Sequence, residues 1–131
     1  MTSFTCLSKL IQNLKKTNEP FALVNAYKGN DWDKHISLKH PISLWKNDYM
    51  ELYLKSWKTG QPERYYNNYS TIHTKILQGR FLSKMLIKNQ LEIDIYLYKD
   101  DNYTFNPFST ASLNPLEDSF TLQMHYYHHL Y

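Results

Sequence analysis

The sequence predicts a mainly β chain, a sandwich or small barrel of short strands behind one or two N-terminal helices. Three observations carry that expectation. Apolar residues recur with a helical period only near the N-terminus, at Leu7, Leu10, Ile11 and Leu14. From about Trp32 onward the pattern breaks into short runs, several with a period of two, separated by turn residues. The 131 residues include 12 Tyr, 6 Phe and 3 Trp, more burial material than a disordered or collagen-like chain carries.

The elements follow in order. The stripe Leu7, Leu10, Ile11, Leu14 predicts an amphipathic first helix, with Ser3 or Thr5 as its cap and Lys15 and Lys16 at the negative end of its dipole. Asn18-Glu19-Pro20 closes it. Pro20 to Tyr27 is short and apolar and reads equally as a second helix or a strand. Strands are expected over 51–57, 71–77 and 81–87, with Gln78-Gly79 as a turn between the last two. Leu91, Ile93, Ile95 and Leu97 alternate with polar or tyrosine positions, predicting a half-buried strand that ends at the turn 99–102. In the last run Phe120, Leu122, Met124 and Tyr126 share one face, and Thr121, Gln123, His125 and Tyr127 share the other.

Composition narrows the function classes. The length suits a single domain, with a helical lead over 1–28 and a barrel over 32–131, and excludes a two-domain enzyme. The net charge of +3 is spread along the chain, so nucleic-acid binding is not expected. No apolar run approaches the ~18 residues of a membrane span, and the N-terminus lacks the pattern of a secretory signal. The single cysteine, Cys6, fits a reducing, cytoplasmic compartment and reads as a half-buried structural thiol. The 13 Lys against 2 Arg, with 11 Asn, suggest an AT-rich genome, microbial, protist or viral; a viral origin would place the chain in host cytoplasm or a virion.

Three stretches carry a resemblance. Glu51-Leu52-Tyr53-Leu54-Lys55-Ser56-Trp57-Lys58-Thr59-Gly60-Gln61 is similar to a strand running into W-x-P-G-Q. Thr74-Lys75-Ile76-Leu77-Gln78-Gly79 is similar to K-V/M-L-Q/E-G. Asn114-Pro115 followed by Phe120-Thr121-Leu122-Gln123-Met124-His125-Tyr126 is similar to N-P…A/V-S-L-H-L-Y. In order and approximate spacing they resemble the cysteine dioxygenase branch of the cupin superfamily, over the span from Trp32 to Tyr127. The resemblance implies a double-stranded β-helix, or jelly roll. It also implies a ferrous iron held by three histidines, an H-x-H after the Gly-Gln and one from the S-L-H-L-Y strand, which oxidises a small thiol.

Those positions depart from the pattern. Counted from Gly60, the H-x-H falls on Tyr66 and Asn68; counted back from Gly79, it falls on Tyr65 and Asn67. The third position is Gln123. Amides are poor ligands for Fe(II), and a phenol must first lose a proton with a reference pKa of ~10. No cofactor is therefore expected, and Tyr66, Asn68 and Gln123 are expected to line a polar cavity as a hydrogen-bonded network.

Other constellations remain open. His73 and His125 are the fallback ligands of a rebuilt metal site. His73 falls near a carboxylate-ligand position counted from Asn68, but points away with Lys75 when counted from Gly79. His128 and His129 form a loose histidine-rich end with His125. Where the resemblance implies a substrate-binding arginine in Y-x-R-x-x-L, this chain has Lys34, an anion site without the bidentate fork. Tyr65, Tyr66 and Tyr69, interleaved with Asn67, Asn68 and Ser70, could form a stacking surface, though such loops are also ordinary turn chemistry. The leading reading is a catalytically degenerate cupin acting in binding, structure or assembly, with a homodimer expected and no specific ligand identified. The alternatives are a thiol dioxygenase-like oxidoreductase with a rebuilt metal site and a small-molecule or glycan-binding module.

Overall fold

A computed structural model describes residues 3–65, 70–87, 91–105 and 110–127. Two helices lead the chain, α1 (Leu7–Leu14) and α2 (Pro20–Asn25), followed by a 3-10 turn over Asp31–Lys34. Nine strands follow: β1 (Ile42–Lys46), β2 (Met50–Trp57), β3 (Glu63–Tyr65), β4 (Ser70–Gln78), β5 (Phe81–Ile87), β6 (Leu91–Leu97), β7 (Asn102–Phe105), β8 (Thr110–Pro115) and β9 (Ser119–Tyr127). They form a five-stranded sheet ordered β1-β2-β9-β4-β7 and a four-stranded sheet ordered β3-β8-β5-β6, with antiparallel pairing throughout the strand ladders. The mainly β fold with N-terminal helices is the one expected.

Pro20 settles the ambiguous second segment. It occupies the first turn of α2, where its missing N–H costs nothing. The N-terminal cap differs from expectation. Neither Ser3 nor Thr5 caps α1; Cys6 takes the cap position without a side-chain bond, and Leu7 N–H instead donates to Asp31 Oδ2 at 2.9 Å. The 3-10 turn thus supplies the acceptor that the local sequence lacks. Tyr27 Oη ties the same turn down, donating to Asp31 Oδ1 and accepting from Trp32 N–H at 3.2 Å.

The five-stranded sheet has two different faces, and its alternation shows which is which. Leu52, Leu54, Leu122 and Met124 pack with Leu7, Leu10, Leu14, Val24, Tyr27 and Trp32 into a core between sheet and helices. The opposite face meets the four-stranded sheet, where Trp57, Ile72, Ile76 and Phe105 pack against Phe81, Leu97, Ala111 and Leu113. The apolar phase of β2 and β9 therefore serves the helices. The polar phase, including Tyr53, Lys55, Thr121, Gln123 and His125, points toward the inter-sheet side. No helix among the described residues is long and apolar enough to cross a membrane.

A tight corner joins β4 to β5. Gly79 adopts φ +107°, and a side chain there would collide with Ser119. Arg80 N–H donates to the same Ser119 Oγ at 3.3 Å, so the corner and the start of β9 are in close contact.

Candidate functional site: the polar inter-sheet face and its lateral groove

The register of β2, β9 and β4 builds the site. Glu51 pairs with His125, Tyr53 with Gln123 and Lys55 with Thr121; Gln123 and Thr121 pair in turn with Thr74 and Ile76. Directly opposed residues of an antiparallel pair share a face, so this row collects Glu51, Tyr53, Lys55, Thr74, Thr121, Gln123 and His125. Gln123 is 1% exposed and donates from Nε2 to Thr74 Oγ1 at 3.0 Å. Trp57 donates its indole N–H to Thr121 Oγ1 at 2.8 Å.

His125 sits beside Glu51 at one end of this row, its ring edge-on to Tyr53 at 5.2 Å between centroids. Burial, reinforced by the Lys55 charge and opposed by Glu51, holds the imidazole at about 4, so it is neutral at pH 7. Burial also raises the Tyr53 hydroxyl above its ordinary range, with hydrogen bonds to Glu51 and Tyr127 adding to the shift.

His73 lies elsewhere. It pairs with Met124, one residue from the Ile72–His125 pair, and so occupies the opposite face of the sheet. Its ring stacks on Phe21 of α2 at 4.9 Å. Nε2 lies 2.6 Å from Asn25 Oδ1 and Nδ1 lies 2.7 Å from Thr104 Oγ1. With a carbonyl oxygen at Nε2, the neutral ring carries its proton there and accepts from Thr104 at Nδ1. Burial, with Lys75 as a second cause, holds His73 at about 4. His73 and His125 therefore do not converge on one ion. Ile72 takes the inward position and His73 points away with Lys75, as the count from Gly79 has it.

Tyr66 and Asn68 lie outside the described residues, as do Asn67, Tyr69, His128 and His129. Lys34 ends the 3-10 turn on the exposed surface, outside the groove described below. Among the described residues no group of three His, Cys, Asp or Glu side chains could hold a metal ion. Gln123, an amide whose nitrogen is committed to Thr74, does not fit the ferrous centre that the resemblance implies.

Sequence reasoning missed a pair that joins the two sheets. Lys55 of β2 forms a salt bridge with Glu63 of β3, and its ammonium lies 4.3 Å from the centre of the Trp57 ring. The Lys55 side chain is 17% exposed, and burial pushes its pKa down to about 8. The available signal was a lysine in the inward phase of a strand, between Tyr53 and Trp57. The pair sits in the wall of a groove of about 930 Å³ that runs between the 38–41 segment and the β2–β3 connection. Leu38, Pro41, Pro62 and Phe120 give the groove apolar walls, and Lys39 and Lys58 add cations.

No protein-family model matches the chain, and no curated protein is similar to it in sequence. Solved structures do match its fold. A cupin superfamily protein from Desulfitobacterium hafniense aligns with a TM-score of 0.65 at 14% identity, over 76% of this chain and 91% of that one. The cupin domain of Cnp3 from Schizosaccharomyces pombe aligns at 0.62 and 14% identity, over 72% and 71%. Bacillus subtilis oxalate decarboxylase, a protein with Mn(II) centres, aligns at 0.55 and 12% identity, over 63% of this chain and 22% of its own. Cupin-fold structures thus include enzymes, and similarity at this level speaks for architecture. The chain has the double-stranded β-helix fold of the cupins.

Proposed function

We propose that this chain is a binding protein built on a degenerate cysteine dioxygenase-like cupin barrel, without the branch's iron centre. One observation carries the reading. Gln123, which stands where the S-L-H-L-Y pattern has its histidine, is buried and hydrogen-bonded to Thr74 on the inter-sheet face. Dioxygen chemistry needs a redox centre, and the described part of this face offers instead amide, hydroxyl, phenol and neutral imidazole groups suited to holding a polar ligand. The same proposal assigns Tyr66 and Asn68, which lie outside the described residues, to the lining. The test is metal analysis of protein expressed with added iron, together with cysteine-dependent oxygen uptake. Substoichiometric iron and no uptake support the reading; stoichiometric iron with uptake overturns it.

The groove beside Lys55 favours ligand binding over a purely structural role. Its volume falls in the range of small-molecule sites, with apolar walls and a few polar groups. A homodimer belongs to the same proposal, and light scattering at micromolar concentration reads it directly. The rebuilt-site oxidoreductase has less support, because His73 and His125 occupy opposite faces of one sheet.

A further inference from the structure

We infer that Lys55 is a carbonyl-capturing lysine: the lateral groove admits a small aldehydo or keto acid whose carbonyl carbon condenses with the Lys55 amine, while its carboxylate meets Lys39 and Lys58.

Four observations meet at this residue. Lys55 is the lysine that lines the groove while also lying on the inward phase of β2. Its side chain is largely withdrawn from water, which weakens the hydration that normally holds a lysine as ammonium. A carboxylate, Glu63, is in direct contact to receive a proton. The Trp57 ring lies beneath the ammonium and fixes the direction of the stem. Around the groove, Asp118 is engaged by Thr59 through its backbone N–H and hydroxyl, and Glu63 by Lys55. Lys39 and Lys58 enter no salt bridge among the described residues, which leaves the groove a net attraction for an anionic ligand.

The chemistry balances without an oxidant or reductant. The ammonium passes one proton to Glu63, and the freed nitrogen lone pair forms the C–N bond as the carbonyl π pair moves to oxygen. The resulting carbinolamine takes up the proton from Glu63 on its hydroxyl and loses water, leaving a protonated imine on Lys55 and a carboxylate on Glu63. The groups facing Lys55 that titrate or carry charge are Glu63 of β3, His125 of β9, Lys58 and Asp118 beside the strand ends, and Lys39 and His40 of the 38–41 segment. Burial brings Lys55 to about 8.

The test uses the full chain with limiting para-carboxybenzaldehyde and cyanoborohydride, which reduces an imine to a stable secondary amine, followed by peptide mass mapping. A lysine titrating near 8 holds on the order of a hundredfold more free amine near neutral pH than an ordinary one. Lys55 is therefore expected to take label about tenfold ahead of any other lysine, with an onset near pH 8. Benzaldehyde, which lacks the carboxylate, should label it several-fold more slowly. Label distributed over the lysines by exposure, or an unlabelled Lys55 in folded protein, overturns the assignment; equal rates for the two aldehydes overturn the carboxylate part. Mapping the natural chain needs no variant to fold, and Lys55→Arg, checked by its melting curve, should lose the selective label. The assignment stands apart from the iron question, since labelling reads Lys55 and metal content reads the barrel centre.

Discussion

Gln123 and Thr74 face each other across the β4–β9 pair, joined by a 3.0 Å bond from the amide Nε2 to the hydroxyl oxygen. Both are buried, so each satisfies a group that would otherwise be stranded away from water. Gln123→Ala removes the donor and leaves a small void. The expected cost is about 1–3 kcal/mol, read from urea unfolding. Gln123→His alone should not bring stoichiometric iron, because one imidazole does not make a three-histidine centre. A fully loaded single variant would mean that the remaining ligands are already in place elsewhere in the chain.

Acid should weaken the fold over a defined window. An unfolded histidine takes a proton below about 6.5, whereas folded His73 stays neutral to about 4. Between those values the unfolded chain binds more protons, so stability rises with pH. It is fully present above about 6.5 and is lost as pH falls toward 4, by about 3 kcal/mol from His73. His125 contributes with the same sign. Urea midpoints from pH 7 to pH 4 should fall accordingly, and less steeply in His73→Gln. A flat profile across that window would mean that the imidazoles are not held neutral.

The strands that alternate in chemistry were legible, and their physical reason is plain. Phe81–Ile87 and Leu91–Leu97 form strands over the bounds expected, and Ser119–Tyr127 extends the expected run by one residue. What alternation could not reveal is which core each phase serves. Leu52 and Leu54 turn to the helices, while Tyr53 and Lys55 turn to the other sheet, and nothing local distinguishes two buried faces. β1 and β7 were missed because they are short edge strands with broken patterns. Lys55–Glu63 was invisible for a further reason: it joins strands of different sheets, and that proximity is fixed by the barrel's closure.

Gly79 is the residue where motif and backbone agree most closely. It closes Thr74-Lys75-Ile76-Leu77-Gln78-Gly79 at φ +107°, a conformation that side chains oppose, against the side chain and backbone of Ser119. Gly79→Ala meets both obstacles at once. A loss of about 2 kcal/mol or more is expected, seen as a lower melting temperature. Gly60, at φ +73° with open space around its missing Cβ, meets only the backbone penalty. Gly60→Ala should cost less, and reversal of that order would show that the β4–β5 corner yields easily.

Lys75 is 1% exposed and donates to the Asn25 carbonyl at 2.5 Å, while the Asn25 side chain accepts from His73. One residue at the end of α2 thus holds both buried basic groups of β4. Lys75 also helps to keep His73 neutral, since two adjacent cations on the helix side of the sheet would repel. Lys75→Met keeps the stem but removes the charge and the donor. Stability at pH 7 should fall by about 1–2 kcal/mol, because the Asn25 carbonyl loses its partner. The His73 pKa should rise from about 4 toward its ordinary value without reaching it, because burial remains the larger cause. NMR titration of the ring protons separates the two effects. An unchanged His73 titration in a folded Lys75→Met variant would show that burial alone sets the value.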